Sequence, residues 1–147
     1  MSCSGVGLIT LDQALEHYSA VQTLPVVTLP LVQAHQHILA ADVLSTVALP
    51  LFTQSAVDGY ALRSEDLQAG ITRFELVGEI RAGIEEHIEI QAGQTVRIFT
   101  GGKLPNSADT VARQAIITRS HDQATLTKAL DKGADIRYKG EELSIGT

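Results

Sequence analysis

The sequence predicts a predominantly β member of the α+β class. A mixed α+β element is expected from residues 1–48 and 131–147, and a small antiparallel, barrel-like β module over residues 49–130. Three observations predict it. One well-marked amphipathic helix lies near the N-terminus. Beyond Pro50, short runs of β-formers recur at intervals of roughly ten residues between turn formers. The tail from Asp131 to Thr147 is polar, carries Gly133, Gly140 and Gly146, and reaches no closing structural signal.

The helix starts at Thr10-Leu11-Asp12-Gln13. Thr10 can accept from the free amides of the first turn, and Gln13, three residues on, completes a capping box. Leu11, Ala14, Leu15 and Tyr18 then follow the spacing of one buried face, and the helix is expected to stop before Thr23-Leu24-Pro25. Val26–Leu29, bounded by Pro25 and Pro30, reads as a short edge strand. Ile38–Val43 is apolar and short, helix or strand by pattern alone. Strands are expected in Phe74–Val77, Thr95–Phe99, Thr110–Ala112, Ala115–Thr118 and Ala124–Leu126. Turns fall at Gly70, Gly78, Ala82-Gly83, Ala92-Gly93, Gly101-Gly102, Asn106-Ser107 and His121-Asp122.

Composition narrows the function classes. Hydrophobic residues make up 44% of the chain and charged residues 19%, enough for a packed core, while aromatics are only 4%, so Leu, Ile, Val and Ala must build it. The net charge of −6 argues against a general nucleic-acid or anionic-membrane surface. An anion held locally by backbone amides, one Arg or a bridging cation stays possible. No apolar run approaches the ~20 residues of a membrane-spanning helix, and a soluble cytoplasmic protein is expected. Cys3, the single cysteine, sits in a leader expected to be floppy and can form neither an internal disulfide nor a cysteine cage for zinc.

Three segments could carry chemistry. Ser55-Ala56-Val57-Asp58-Gly59-Tyr60-Ala61 joins small residues, one carboxylate and a turn signal; Asp58 is either a turn residue satisfying local amides or a reactive carboxylate. Thr100-Gly101-Gly102-Lys103-Leu104-Pro105 follows the alternating Val96-Arg97-Ile98-Phe99. It is either a hairpin turn or a place where glycine amides and a hydroxyl approach a phosphate or carboxylate. It matches neither the P-loop nor the dinucleotide fingerprint. Arg137-Tyr138-Lys139-Gly140-Glu141-Glu142 could hold a phosphate, coordinate Mg²⁺, pair charges across a subunit contact, or be a solvated loop. His35 and His37 lack a third ligand of matching context, and no nucleophile elbow is present.

The order of these blocks is more informative than any one of them. Ile38-Leu39-Ala40-Ala41-Asp42-Val43, Leu49-Pro50-Leu51-Phe52 with Ser55–Ala61, and Val77-Gly78-Glu79-Ile80-Arg81-Ala82-Gly83 stand in sequence. Arg97-Ile98-Phe99-Thr100-Gly101-Gly102 with Leu104-Pro105 and Ala108-Asp109, and Arg137 with Gly140-Glu141-Glu142, complete the set. In this register the chain resembles, from Leu8 to Gly146, the N-terminal region of the molybdopterin molybdenumtransferase family, which includes the gephyrin E domain.

The resemblance implies an enzyme of molybdenum cofactor biosynthesis. Such an enzyme inserts molybdenum from molybdate into adenylylated molybdopterin and releases AMP, with Mg²⁺ assisting, in a homodimer whose cleft lies between subunits. It implies Asp58 as a catalytic carboxylate that handles the Mg²⁺ ion or the molybdate and water, and Thr100 as a second catalytic residue that, with Gly101, offers a hydroxyl and amides to the substrate's anionic portion. It also implies that the mixed element is elongated and incomplete at its C-terminal side. Ser55, Gly101, Gly102, Arg137 and Glu142 fall at substrate-binding positions. This chain departs from the family pattern at Thr53 for Asp, Gln54 for Asn, Val57 for Met, Ala115 for Glu and Glu142 for Asp. Family members run well beyond Thr147, so the chain is expected to hold one wall of a composite active site and to be inactive alone. The alternative is a non-catalytic interaction or scaffolding module of the same family.

Overall fold

In the computed structural model of the chain, residues 7–84 and 87–147 are described; Cys3 lies outside them. The chain divides into two compact units, Met1–Asp42 and Val43–Thr147.

In the first unit, Thr10 opens helix α1 (Leu11–Ser19) with the expected capping box. Its Oγ1 accepts from the Gln13 amide at 3.2 Å, while its own amide donates to Gln13 Oε1 at 2.9 Å. The apolar face does not end up buried: Leu11, Leu15 and Tyr18 are 74%, 55% and 79% exposed. The described residues of this unit provide no second layer, because after α1 the chain forms only irregular segments, turns and one 3₁₀ turn at Leu31–Gln33. Val26–Leu29 makes no strand; it has no ladder partner, and Pro25 and Pro30 each lack the amide that one would use.

The second unit is built on short strands. In chain order they are β1 (Gln54–Ser55), β2 (Gly59–Leu62), β3 (Arg73–Ile80), β4 (Gln94–Ile98), β5 (Thr110–Arg113), β6 (Ile117–Ser120), β7 (Gln123–Leu126) and β8 (Ile136–Arg137). Helix α2 (Ser64–Gln68) follows β2. Six strands form one sheet in the order β5-β2-β4-β3-β7-β6, and β1 pairs with β8. The fold is mostly sheet with few helices, as the composition and spacing predict. The sheet is a curled, mixed half-barrel, since β3 and β4 run parallel while the other pairs are antiparallel. Residues 81–93 carry the chain back to the start of β4, a crossover of the length that parallel pairing requires.

The pleat sorts the core. Successive side chains leave a strand on opposite faces, so neighbours such as Ala61 and Leu62, or Val111 and Ala112, fall into different clusters. One face carries Ala61, Ile80, Val96, Ile98 and Val111; the other carries Leu62, Phe74, Ala112 and Leu126. Burying a Val, Leu, Ile or Phe side chain contributes roughly 1.5–3 kcal/mol, and all of these residues but Leu126 are at most 1% exposed.

Gly59 explains itself here in a way its sequence context does not suggest. It is a buried residue of β2 rather than the positive-φ residue of a turn, and a Cβ on it would lie 2.3 Å from the Ala112 carbonyl oxygen. The requirement is close strand approach.

The tail belongs physically with its surroundings on both sides. Ser45 bonds to Gly146 and Thr147, Leu49 to Leu143, and β8 to β1. Residues 136–147 thus pair with residues 45–55, residues 133–135 bond to Ala56 and to Asp109–Val111, and Met1–Asp42 forms the separate unit.

Candidate functional site

The site begins with strand register. β2 and β4 are antiparallel neighbours with Gly59 opposite Ile98 and Tyr60 opposite Arg97, which puts the start of β2 beside the end of β4. Asp58 immediately precedes β2 and Thr100 closely follows β4, so the two meet at one end of the sheet.

The turn after β4 fixes Thr100. Gly102 donates its amide to Phe99 O at 2.8 Å, and Gly101, third in that turn, takes φ +80°. This frees Thr100 to point both its amide and its hydroxyl at Asp58. Oδ1 accepts the amide at 2.9 Å and Oγ1 at 2.8 Å. Among the described residues no group donates to Asp58 Oδ2, and the side chain is exposed. The Thr100 amide, then the Thr100 hydroxyl, hold the carboxyl below the usual carboxylate range; slight desolvation opposes them and the Arg97 charge adds to them. The outcome is an ionised carboxylate with one oxygen anchored and one directed to solvent.

The loop before β2 is held from beneath. Ser55 is fully buried, and its hydroxyl donates to Val57 O at 2.6 Å. Its backbone is zipped to the glycine turn, with the Ser55 amide on Gly102 O at 3.0 Å and the Gly101 amide on Ser55 O at 2.9 Å. On the other side the Ala56 amide donates to Asp135 O at 2.9 Å, and Arg113 forks onto the Asp135 carboxylate at 2.6 and 3.0 Å.

Of the residues the sequence singles out, Ser55, Asp58, Thr100, Gly101 and Gly102 come together. The amides of Thr100, Gly101 and Gly102 are all consumed inside the protein, by Asp58, Ser55 and Phe99 respectively. In this structure the glycine turn therefore shapes the site rather than presenting open amides to an anion. Ser55 likewise spends its hydroxyl on the loop. Arg137, the last residue of β8, and Glu142, in the segment after it, form an ion pair with each other. Among the described residues neither bonds to Asp58 or Thr100.

Sequence reasoning passed over Arg97, Tyr60, Phe99 and Gln114. Arg97 donates to the Tyr60 hydroxyl at 3.2 Å and to Gln114 Oε1 at 3.0 Å, and its guanidinium carbon lies 4.9 Å from the Phe99 ring centre. The Gln114 backbone N–H in turn donates to the Asp58 main-chain carbonyl at 3.0 Å. The available signal was alternation: Asp58-x-Tyr60 and Arg97-x-Phe99 each place two residues on one strand face.

Among the described residues no three His, Cys, Asp or Glu side chains gather into a metal site, His35 and His37 included. No helix there is long and apolar enough to cross a membrane. A single open carboxylate oxygen beside a hydroxyl suits a hard cation such as Mg²⁺, which is commonly held by one or two carboxylates with water and substrate oxygens completing its shell.

Residues 9–147 match the family model described as MoeA N-terminal region (domain I and II). The chain is 36% identical over 128 residues to the molybdopterin molybdenumtransferase of Staphylococcus aureus (strain MRSA252), covering 84% of this chain and 30% of that protein. To the protein of that name from Nostoc sp. (strain PCC 7120 / SAG 25.82 / UTEX 2576) it is 35% identical over 97 residues, 63% of this chain and 22% of the relative. The molybdopterin biosynthesis moeA protein from Pyrococcus horikoshii OT3 superposes with a TM-score of 0.74 at 28% identity, over 81% of this chain and 32% of that one. The chain thus spans 22–30% of the length of these two curated relatives. With the family match running from residue 9 to residue 147, the chain belongs to the MoeA N-terminal region (domain I and II) family.

Proposed function

We propose that this chain supplies one wall of the active site of a molybdopterin molybdenumtransferase, which inserts molybdenum from molybdate into adenylylated molybdopterin and releases AMP. The observation that carries the reading is the Asp58–Thr100 pair: an exposed carboxylate, kept ionised by two hydrogen bonds to one oxygen, with the other oxygen open. Such a group, fixed in direction before any ligand arrives, suits work on a polyanionic substrate through a bridging cation.

Asp58 Oδ2 would take Mg²⁺ directly, and the cation would neutralise phosphate charge around the adenylyl leaving group. Thr100 orients the carboxylate. Arg137 and Glu142 would meet the substrate only by exchanging their mutual ion pair for it. The wall faces groups supplied by other parts of the protein, in a cytoplasmic homodimer, and the 147-residue chain alone should give no turnover.

The test is AMP release from adenylylated molybdopterin on addition of molybdate. It compares the longest protein the gene encodes with its Asp58→Ala variant. Loss of at least about 100-fold in kcat is expected for a group acting in the reaction; wild-type turnover in Asp58→Ala would remove the proposal.

A second reading, an interaction module of the same family, is favoured by one observation. Ile38, Leu31, Val32 and Leu24 in the first unit are 86–94% exposed, an unusual display of large apolar side chains. AMP release by the wild-type protein, lost in Asp58→Ala, would decide against it.

A further inference from the structure

We infer that Arg97 is a positioning residue of this site, closing a ring of contacts that fixes both the main chain and the carboxylate of Asp58. The inference rests on the assignment of Asp58 and Thr100 to the active site.

The ring can be followed atom by atom. Asp58 Oδ1 accepts from Thr100 N and Oγ1. Thr100 follows Phe99, whose ring centre lies 4.9 Å from the Arg97 guanidinium carbon. Arg97 Nη2 donates to Gln114 Oε1 at 3.0 Å, and the Gln114 amide donates to Asp58 O at 3.0 Å, which returns the path to its start. A spoke crosses it: Arg97 Nη1 donates at 3.2 Å to the hydroxyl of the buried Tyr60, in β2 two residues after Asp58.

Each link has a separate physical role. The Phe99 ring and the Tyr60 ring, 5.7 Å away, restrict the guanidinium plane. That plane then presents two donors in fixed directions, one to β2 through Tyr60 and one to Gln114 just after β5. Since Gln114 and Thr100 hold opposite ends of Asp58, tilting either would swing Oδ2. A lysine cannot substitute fully, because one ammonium lacks the planar fork that spans Tyr60 and Gln114. Arg81, also over Phe99 at 5.8 Å, is bonded to Glu79 and has no link to Gln114.

The experiment reads the Thr100 amide proton in ¹H–¹⁵N spectra of the 147-residue chain, since an amide bonded to a carboxylate resonates downfield. Asp58→Asn marks the shift when the charged acceptor is lost. Arg97→Met should move the Thr100 amide toward that mark while amides of β7 and the thermal midpoint stay near wild type. Arg97→Lys should fall between the two. If Arg97→Met does not fold, Gln114→Ala cuts the ring without touching the aromatic contacts and should move the same amide in the same direction. In AMP release by the longest protein encoded, Arg97→Met should lower kcat about tenfold with KM within twofold.

A Thr100 amide that stays at its wild-type position in folded Arg97→Met, or in Gln114→Ala, would overturn the inference. If the amide moves as expected but Asp58→Ala retains full AMP release, the positional linkage stands and the functional reading fails, so the two failures are distinguishable.

Discussion

Asp58 and Thr100, 42 residues apart in sequence, share one carboxylate oxygen: Oδ1 takes both the amide and the hydroxyl of Thr100, at 2.9 and 2.8 Å. This leaves the second oxygen without a protein donor among the described residues. A carboxylate so held is ionised and aimed.

The Asp58 carboxyl should titrate below an ordinary Asp, because Thr100 bonds only the ionised form this well. Its contribution to stability is then present above the unfolded value, about pH 4, and disappears as pH falls through the lower folded value. Thr100→Val should bring the titration, read by the carboxyl ¹³C shift, back toward the ordinary value. Because the Thr100 amide bond remains in Thr100→Val, only part of the lowering should be lost; an unchanged midpoint would show that the hydroxyl does not contribute to it.

Asp109 gives a second pH expectation at the opposite end of β2. Partial burial pushes its carboxyl up, yet the Ser64 hydroxyl and amide and the Lys132 ammonium outweigh that and leave it below its ordinary value. Its stabilising effect should likewise fade only in acid, below about pH 4. Asp109→Asn should therefore lower the thermal midpoint at pH 7 and bring it closer to wild type at pH 3. A difference that grows on acidification would contradict this.

Gly59→Ala should destabilise the chain by about 3 kcal/mol or more, the upper range for overpacking. The new Cβ would meet the Ala112 carbonyl oxygen at 2.3 Å, and backbone cannot step aside as a flexible side chain can. Urea unfolding checks it. A change under about 1 kcal/mol would mean that β2 and β5 separate easily, against the buried register between them.

Asp135 does two things, and two substitutions separate them. Its backbone sits at φ +54° and accepts from Ala56, while its carboxylate takes the Arg113 fork. Asp135→Asn keeps the left-handed tolerance and loses the charge pair, so its small deficit in thermal midpoint should vanish in 1 M salt. Asp135→Val adds backbone strain, and its larger deficit should persist in salt. Equal, salt-insensitive losses would remove the distinction.

Much of this architecture was legible residue by residue. Thr10 and Gln13 announce α1 because capping is local, and the runs inside β3, β4, β5 and β7 are visible because their β-formers are contiguous. β2 was hidden, since Asp58-Gly59 reads as a turn unless the approach of Ala112 is known. β1 and β8 have two residues each and exist only through their pairing across some eighty residues. The α1 face reads as buried, yet stays exposed among the described residues because burial depends on a partner that the helix pattern cannot name. In the site, Asp58 and Thr100 stood out by residue type and by motif order. Arg97 and Gln114 did not, as their roles come from strand register, which places Tyr60 opposite Arg97.

The most direct test of the central claim is a double-mutant cycle on kcat for AMP release, using the longest protein encoded, with Asp58→Asn, Thr100→Val and the pair. If Thr100 acts by holding Asp58, each single change should lower kcat and the double variant should be no slower than Asp58→Asn alone. Losses that multiply would show that the two residues act independently and would contradict the pairing on which this reading of the site depends.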